Sequence, residues 1–346
     1  MTLTIGGQTF TANKLADITI TKSRSGMGFS GVVTSSISGR VKTSTAFDQG
    51  AAVVVGYDYW NFPTFYIDSS SYDGTSVQFT AYDKCKNLDI PFDRTGYSYK
   101  TGDTINQYQT SLVVGNLCGQ CGFASSSYSS AKSTLNYNEM DGSCRQILEK
   151  LSQADCGVFY CTANDTLGFI SATGTSGSVV VWDNSPVIEQ SKRDISGLVI
   201  TDTHSNEVYK FGSSSYQYVG IIEGDFINQS IAQGIAATLI NSGQGAFHYY
   251  AFNIQSAEID DNVEIGGQIQ LGTGQDAQIL PYKIGNITMR FGAIKVVANL
   301  SSPVVYEGYT AYINAINRKA KDKVNKDTTY NTYFVNNTGD GRRVKI

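Results

Sequence analysis

The stretch Val77-Gln-Phe-Thr-Ala81 alternates apolar and polar side chains, so that its apolar residues fall on one side of the chain. A period of two residues is typical of a β-strand that buries one face. The dipeptide Asp73-Gly74 just before it is a strong signal for a hairpin turn. The sequence therefore predicts antiparallel strands here.

The same pattern extends toward the N-terminus. Ile18 and Ile20 alternate with threonines, and Val53-Val-Val55 forms a short apolar run close to two glycines. Short apolar runs bounded by turn residues are typical of strands. We predict that residues 1–88 form a first β region.

After residue 89 the spacing becomes helical. Asp103 is placed to cap a helix that ends near Gly119 or Gly122, with an apolar side made of Ile105, Tyr108, Leu112, Val113 and Leu117. A second helix is expected to begin between Asp141 and Ser143 and to end at Gly157, with a buried stripe of Ile147, Leu148 and Leu151.

Two apolar runs then flank Asn164-Asp165, which predicts a β-hairpin. Residues 89–175 are thus expected to form a small α/β module of two helices and a hairpin, inserted between β regions.

β-patterning returns in Val179–Trp182 and Leu198–Thr201, so residues 176–302 are predicted to form a second β region. One helix is expected within it, over residues 228–241, with a buried stripe of Ile231, Ile235, Ala236 and Leu239. Residues 303–346 are predicted to be a C-terminal extension, with a helix opened by Pro303 and then a basic tail.

The tail is distinguished by its charge. From Arg318 onward there are eight Lys or Arg against three Asp, a local charge of +5, so the rest of a chain of net charge −4 carries −9. A basic segment of this kind is typically mobile, or ordered by a partner. The overall acidity gives no electrostatic case for nucleic acid as a partner.

The composition is rich in 35 Gly and 22 Tyr, and only 16% of residues are charged, below the usual ~25%. Low charge fits surfaces that neighbouring subunits cover, and it equally fits plain β-protein bias. No signal-peptide pattern begins the chain, and no apolar run approaches the ~20 residues that span a bilayer. We expect a soluble protein assembled in the cytoplasm, without membrane insertion.

Motifs that would carry chemistry are weak. Gly26-Met-Gly28-Phe-Ser-Gly31 matches the dinucleotide fingerprint literally, but a strand pattern follows where that fingerprint needs a helix. Cys118-Gly-Gln-Cys121 has the spacing of one half of a zinc site, but a structural zinc ion needs four ligands and no second pair with this spacing is present. We therefore interpret Cys118 as a buried thiol and keep zinc binding as the minor alternative. All six cysteines are expected to be reduced.

The two histidines, His204 and His248, lie outside known catalytic motifs. The acidic group Glu258, Asp260, Asp261 and Glu264 lacks a calcium-loop pattern. We therefore predict no catalytic residue, no cofactor and no metal.

A loose internal repeat is visible. Residues 47–81 and 263–298 both show an acidic-x-Gly or similar start, two apolar strands, a turn and an alternating strand that ends near alanine. Chance similarity of two β-meanders explains it as well as duplication does. If it is a duplication, three chains would present six similar modules in a ring. Such a ring could join a structure of sixfold symmetry to a structure of threefold symmetry.

In this order the elements resemble the tail hub proteins of phages, over roughly residues 10 to 300. The resemblance rests on many weak motifs rather than one diagnostic motif: Phe79–Lys84, Cys118–Gly122, Cys144–Leu148, Gly157–Ile170, Gly197–Asp202, Ile222–Ile227 and Glu264–Ile269.

The resemblance implies a homotrimer in which each chain supplies two tail-tube-like β-barrels, residues 1–88 and 176–302, to a pseudo-hexameric ring. The implied partners are the tail tube or distal tail ring protein and the central spike, with the tape-measure and baseplate wedge proteins as further candidates. It implies a place in the tail baseplate of a virion or tailocin, no enzymatic activity, and a contractile tail, because the chain lacks the lysin, peptidase or receptor-binding region of the long tail-associated members.

Within this picture the basic residues Arg318, Lys319, Arg342 and Arg343 are the expected contact with the spike or a baseplate protein. Two other functions stay open at this point. The wealth of Tyr, Asn, Ser and Thr fits a carbohydrate-binding or adhesive β-protein, and a cell-wall hydrolase is the second alternative.

Overall fold

The computed structural model of this chain describes most of its first half and parts of the second. The described residues are 1–25, 30–57, 61–171, 178–181, 191–194, 197–203, 205–212, 218–237, 246–254, 265, 268–271, 278–283, 286–290, 293–299, 304–307, 333–335 and 343–345.

The described residues of the first β region form seven strands. They are β1 Thr2–Ile5, β2 Gln8–Thr11, β3 Leu15–Ser25, β4 Gly31–Val41, β5 Ala52–Gly56, β6 Phe65–Tyr72 and β7 Val77–Tyr82. A short 3₁₀ helix, Ala12–Lys14, joins β2 to β3, and a second, Lys84–Asp89, follows β7. The predicted strand at Val77–Ala81 is confirmed, with its apolar residues buried and Gln78 exposed.

The inserted module contains the next elements. They are β8 Lys100–Thr101, β9 Thr104–Ile105, β10 Gln107–Gln109, α1 Thr110–Cys121, β11 Thr134–Asn136, a 3₁₀ helix Tyr137–Met140, α2 Cys144–Ala154, β12 Gly157–Cys161 and β13 Leu167–Ser171. The predicted hairpin is confirmed, because β12 and β13 pair from Gly157↔Ser171 to Cys161↔Leu167.

The remaining elements are β14 Ser178–Val181, β15 Ser191–Asp194, β16 Gly197–Asp202, β17 Val208–Gly212, β18 Tyr218–Gly224, α3 Gln229–Ala236, β19 Ala246–Ile254, β20 Gln268–Leu271, β21 Gln278–Lys283, β22 Asn286–Arg290, β23 Ala293–Asn299, β24 Val304–Glu307, β25 Tyr333–Val335 and β26 Arg343–Lys345. A mainly β fold with few helices, as the sequence predicts, is confirmed.

Thirteen of the described strands, from both the first and the second β region, belong to one sheet. Its order is β15-β19-β23-β22-β3-β4-β7-β6-β5-β1-β2, with the β12–β13 hairpin attached to β4. The link between the regions is the antiparallel pair β22–β3, in register from Ile287↔Lys22 to Arg290↔Thr19. The two predicted β regions are therefore continuous through backbone hydrogen bonds.

Two smaller sheets complete the second β region. In one of them β16 and β18 are the inner strands of the order β17-β16-β18-β24, and in the other β14 pairs with β20, which pairs with β21. The internal repeat is not reproduced strand by strand, because β22 occupies the segment where the repeat expects only a turn. In the first region the corresponding strands β6 and β7 are direct neighbours.

Helix α2 follows the sequence prediction closely. Ser143 caps it by accepting from Gln146 N–H, and the Gln146 side chain accepts from Ser143 N–H in return, a capping box. The predicted stripe of Ile147, Leu148 and Leu151 is fully buried. Burial of such side chains stabilises the fold by roughly 1.5–3 kcal/mol each.

Helix α1 departs from its prediction at its beginning. It begins at Thr110 rather than near Asp103, because Tyr108 and its neighbours pair as β10 with β11, in register Tyr108↔Leu135. Its end is correct, since Gly122 adopts φ 78° at the C-cap. Leu112, predicted on the buried side, is 52% exposed.

Helix α3 begins after Asn228, whose side chain accepts from Ile231 N–H at 2.9 Å. Ile231, Ile235 and Ala236 are buried as predicted, whereas Leu239 lies outside the described residues. The predicted helix opening at Pro303 is wrong at its start, because Val304–Glu307 form β24 and pair with β18. The rest of that predicted helix lies outside the described residues.

Candidate interaction site and the branch point of the sheet

The structure places few of the predicted contact residues. Arg318, Lys319 and Arg342 lie outside the described residues. Arg343 begins β26 and pairs with Val335 of β25. The role of these four residues in spike or baseplate contact stays a prediction.

The cysteines lie in the core as reduced thiols. All six are buried, and burial raises the pKa of the Cys118 thiol to about 11 and that of Cys156 to about 12. Metal binding and nucleophilic chemistry need the thiolate, which burial disfavours at these two positions, whereas the hydrogen bond with Cys121 lowers the pKa of Cys144. Among the described residues, no cluster of three or more His, Cys, Asp or Glu is arranged to hold a metal ion.

The other weak motifs form no site among the residues that the structure describes. Gly31 of the glycine motif opens strand β4 and not a helix, while residues 26–29 lie outside the described part. His248 lies in β19, and His204 and the acidic group at 258–264 lie outside the described residues. No helix in the described part of the chain is long and apolar enough to cross a membrane.

The most informative local geometry is a branch point in the main sheet. Along one edge of β4, Ser36 to Val41 pair antiparallel with β7, whereas Gly31 and Val32 pair parallel with β12. Between these two stretches β4 changes neighbour, from the first β region to the inserted module. The branch point is thus where the module joins the sheet.

Asp83 closes the gap at this branch point. It follows β7, is 1% exposed, and its Oδ2 accepts a hydrogen bond from Ser35 N–H at 2.9 Å. Its Oδ1 accepts from Cys85 N–H at 3.0 Å and so caps the 3₁₀ helix Lys84–Asp89. One carboxylate therefore satisfies two buried backbone donors, one on each side of the junction.

Burial dominates the electrostatics of this carboxyl. It raises the pKa of Asp83 to about 7, although the hydrogen bonds from Ser35 and Cys85 and the charge of Lys22 act in the opposite direction. Lys22 is only 3% exposed and lies opposite Ser35 in the β3–β4 pair.

A second hydrogen bond joins strand β4 to the inserted module close to the branch point. The backbone N–H of Gly31 donates to Ser152 Oγ of helix α2 at 2.8 Å.

A second, partly buried network holds the β12–β13 hairpin against β6. Asp165, at φ 57° in the hairpin turn, accepts from Thr64 N–H at 3.3 Å and from Tyr66 O–H at 3.1 Å. Lys84 Nζ lies 3.2 Å from Asp165 Oδ2, with both side chains less than one-fifth exposed. The turn residue thus ties the inserted module to the first β region.

Replacing Asp165 by alanine is expected to lower the free energy of unfolding by about 3 kcal/mol. The change removes the carboxylate that accepts from Tyr66 O–H and pairs with Lys84. It also places alanine, which has no polar side chain to stabilise the left-handed backbone conformation, at this position. Asp165→Asn is the matched control, because asparagine tolerates this backbone conformation, and it should lose about half as much. Urea unfolding measures both, and a loss below about 0.5 kcal/mol for Asp165→Ala would contradict the role of the network.

The second β region docks on the inserted module through Phe226. Its ring lies under two ammonium groups, with Lys132 Nζ 4.8 Å and Lys150 Nζ 5.8 Å from the ring centroid. Lys150 also forms an ion pair with Asp225 at 2.8 Å. These contacts fix the turn that precedes α3.

A cavity of about 280 Å³ opens between the end of α2 and helix α3, lined among others by Asp155, Ser230 and Ile231. The carboxylate of Asp155 is already engaged by Tyr128 O–H, by Ser130 O–H at 2.8 Å and by Ala131 N–H at 3.0 Å. The carboxylate of Asp155 thus holds the segment from Tyr128 to Ala131 beside this cavity.

Sequence reasoning missed Asp83 and Asp165. For Asp165 a signal exists, because Asn164-Asp165 marks the turn, but its partners are 81 to 101 residues away in sequence. For Asp83 the sequence shows only an acidic residue after an apolar strand.

The comparisons with known proteins give a consistent result at the level of structure. No protein-family model and no curated protein matches the sequence. Solved structures of other proteins, however, are similar to this chain. The 43 kDa tail protein of prophage MuSo2 from Shewanella oneidensis is 15% identical, with a TM-score of 0.58 over 88% of this chain and 97% of that chain.

Two further tail proteins are similar over most of their length. The tail protein from Neisseria meningitidis MC58 is 9% identical, with a TM-score of 0.56 over 87% of this chain and 98% of that chain. Prophage tail protein gp18 from Listeria monocytogenes EGD-e is 11% identical, with a TM-score of 0.53 over 92% of this chain and 97% of that chain. The chain has the fold of prophage tail proteins.

Proposed function

We propose that this protein is a structural component of a phage-type tail, and specifically the hub that adapts a sixfold tail tube to a threefold central spike. The observation that carries the proposal is the shared fold, which covers 97–98% of three tail-protein structures and not an isolated domain of them. Fold alone does not fix function, so the proposal also needs support from this chain's own architecture.

That support is the continuous main sheet. Two β regions of one chain are joined side by side through β22 and β3, so one copy supplies two adjacent β units to a ring. Three copies would then supply six such units, the number that a sixfold tube requires. In the proposed assembly the homotrimer contacts the tail tube or distal tail ring protein on one side and the central spike on the other, in the baseplate of a virion or tailocin with a contractile tail.

The tape-measure and baseplate wedge proteins are further proposed neighbours. The protein would act by static geometry, without catalysis. Large, permanent interfaces fit the low share of charged residues, 16%.

The oligomeric mass tests the proposal directly. We expect the purified chain to have the mass of three copies by light scattering and to form rings with six lobes in negative-stain images. A stable monomer at micromolar concentration would contradict the hub function. A glycan array and a cell-wall hydrolysis assay on the same sample test the two alternative functions.

The basic tail is expected to bind the spike or a baseplate protein. Replacing Arg318, Lys319, Arg342 and Arg343 together by glutamine should weaken capture of the spike by at least tenfold at moderate salt and leave the trimer intact. A charge-preserving variant with Arg and Lys exchanged at the same positions is the matched control. If both variants captured the spike equally well, the basic tail would not contribute to this interface.

A further inference from the structure

Two thiols meet at the corner where helix α1 ends and helix α2 begins. Cys121 is the last residue of α1, and Cys144 is the first residue of α2. The Cys121 thiol donates a hydrogen bond to the Cys144 sulfur, and the Cys144 thiol lies 3.9 Å from its own acceptor, Gln120 Oε1. Two sulfurs in hydrogen-bond contact need only a small side-chain movement to reach the S–S bond length of about 2.0 Å.

Cys144 differs from the other cysteines in its electrostatics. The hydrogen bond from Cys121 lowers the pKa of Cys144, although burial acts in the opposite direction. Its place at the beginning of α2 also favours a thiolate, because a helix N-terminus carries partial positive charge. Burial instead raises the pKa of four other thiols, which are those of Cys85, Cys118, Cys156 and Cys161. Cys144 is therefore the nucleophile of the pair and Cys121 the thiol that stands next to it.

The cover over this pair is thin. Gly119 and Gly122 are exposed on either side of Cys121, and among the described residues nothing lies within 4 Å of a β-carbon at either glycine. The Gln120 side chain lies over Cys144 and is held only by two hydrogen bonds with the backbone of the exposed Asp93, of 2.9 and 3.1 Å. A small oxidant can reach the sulfurs when this side chain swings away.

We propose that Cys121 and Cys144 form a reversible disulfide bond when the protein passes from a reducing to an oxidising medium, with a peroxide as the oxidant. The thiols are reduced while the chain is made in the cytoplasm, and a tail particle meets oxidising conditions after it leaves the cell. The timing thus rests on the proposed tail function, whereas the bond itself depends only on the two sulfurs.

The reaction has two steps, and it consumes one peroxide. The Cys144 thiolate attacks a peroxide oxygen, so that an S–O bond forms, the O–O bond breaks and hydroxide leaves. The Cys121 sulfur then attacks the Cys144 sulfenic acid, so that the S–S bond forms, the S–O bond breaks and a second hydroxide leaves. Each hydroxide takes up one thiol proton and becomes water, so two thiols are oxidised while hydrogen peroxide is reduced to two waters.

The bond would close the chain segment 121–144 into a loop and fix α1 to α2. Helix α2 holds strand β4 of the main sheet, because Gly31 N–H donates to Ser152 Oγ. Closing a loop removes conformational freedom from the unfolded chain. Oxidation should therefore stiffen the inserted module at the point where it joins the sheet.

The native protein tests the proposal directly. It is purified with a phosphine reductant, moved to buffer without it and treated with hydrogen peroxide in small excess. We expect the thiols that react with a maleimide after denaturation to fall from six to four. Trypsin should then release peptides 101–132 and 133–145 joined by a bond that the phosphine breaks. The midpoint of thermal unfolding should rise by about 5 °C on oxidation.

Cys121→Ala tests the assignment, and Cys118→Ala is the matched control, because Cys118 is also 2% exposed and lies one turn earlier on α1. The control should keep the joined peptides and Cys121→Ala should lose them. Joined peptides in Cys121→Ala would assign the bond to Cys118 and overturn the pair. In the native protein, six reactive thiols after peroxide, or added oxygen without joined peptides, would overturn the proposal even if neither variant folds. The oligomeric mass of the same sample reports separately on the hub function.

Discussion

Near pH 4, replacing Asp83 by alanine is expected to lower the free energy of unfolding by about 4 kcal/mol. The substitution leaves the N–H groups of Ser35 and Cys85 without an acceptor at the point where β4 changes neighbour. It also removes the carboxyl that lies near the buried ammonium of Lys22. Denaturant unfolding of the purified protein measures the loss.

Asp68→Ala is the control for Asp83→Ala, because Asp68 is an exposed aspartate of β6 in the same sheet. It should change the free energy of unfolding by less than about 0.5 kcal/mol. If the two variants lost similar amounts, Asp83 would not hold the branch point.

The pH dependence of stability gives an independent readout of Asp83. Its folded pKa, about 7, lies above the ordinary value of 3.8, so its proton is bound more tightly in the folded state. The stabilisation that the protonated Asp83 carboxyl contributes is therefore fully present below about pH 4, and it is lost as the pH rises through 7. The difference in stability between the native protein and Asp83→Ala should therefore be largest near pH 4 and narrow toward pH 8.

Gly157→Ala is expected to cost about 3 kcal/mol by overpacking. A β-carbon at Gly157 would lie 2.0 Å from Cζ of Phe169 and 2.7 Å from the backbone oxygen of Ile170. The ring of Phe169 cannot move away freely, because it packs with Tyr128 and Phe159 at centroid distances of 4.8 and 4.9 Å. Thermal unfolding should show a lower midpoint.

Gly119→Ala is the matched control for Gly157→Ala. Nothing lies within 4 Å of a β-carbon at Gly119, which is exposed on helix α1. Alanine is the better helix former, so this variant should gain up to about 1 kcal/mol. A loss for Gly157→Ala no larger than that of a typical surface substitution would show that Phe169 can repack.

Gly157 also illustrates where sequence reasoning reached its limit. The sequence predicted a glycine that stops a helix, yet α2 already ends at Ala154. The glycine is required because an aromatic ring from the next strand covers it. That ring is twelve residues further along the chain, and only pairing of β12 with β13 brings the two together.

Local signals were sufficient wherever the determining contacts are local. The alternation in Val77–Ala81, the capping residues of α2 and the turn at Asn164-Asp165 each predicted the element that the structure contains. Helix α1 is the contrasting case, because pairing of Tyr108 with Leu135 replaced a helical turn that local spacing favoured.

The sequence by itself determined the mainly β character of the chain, helix α2, the β12–β13 hairpin and the basic composition of the C-terminal segment, since hydrophobic period, turn residues and charge are properties of neighbouring residues. Only the tertiary structure decided that β22 pairs with β3, that the module joins the sheet along β4, and that Asp83 completes the junction. These features depend on backbone and carboxylate hydrogen bonds between segments that lie 48 to more than 250 residues apart, and such pairings leave no periodic trace in the sequence.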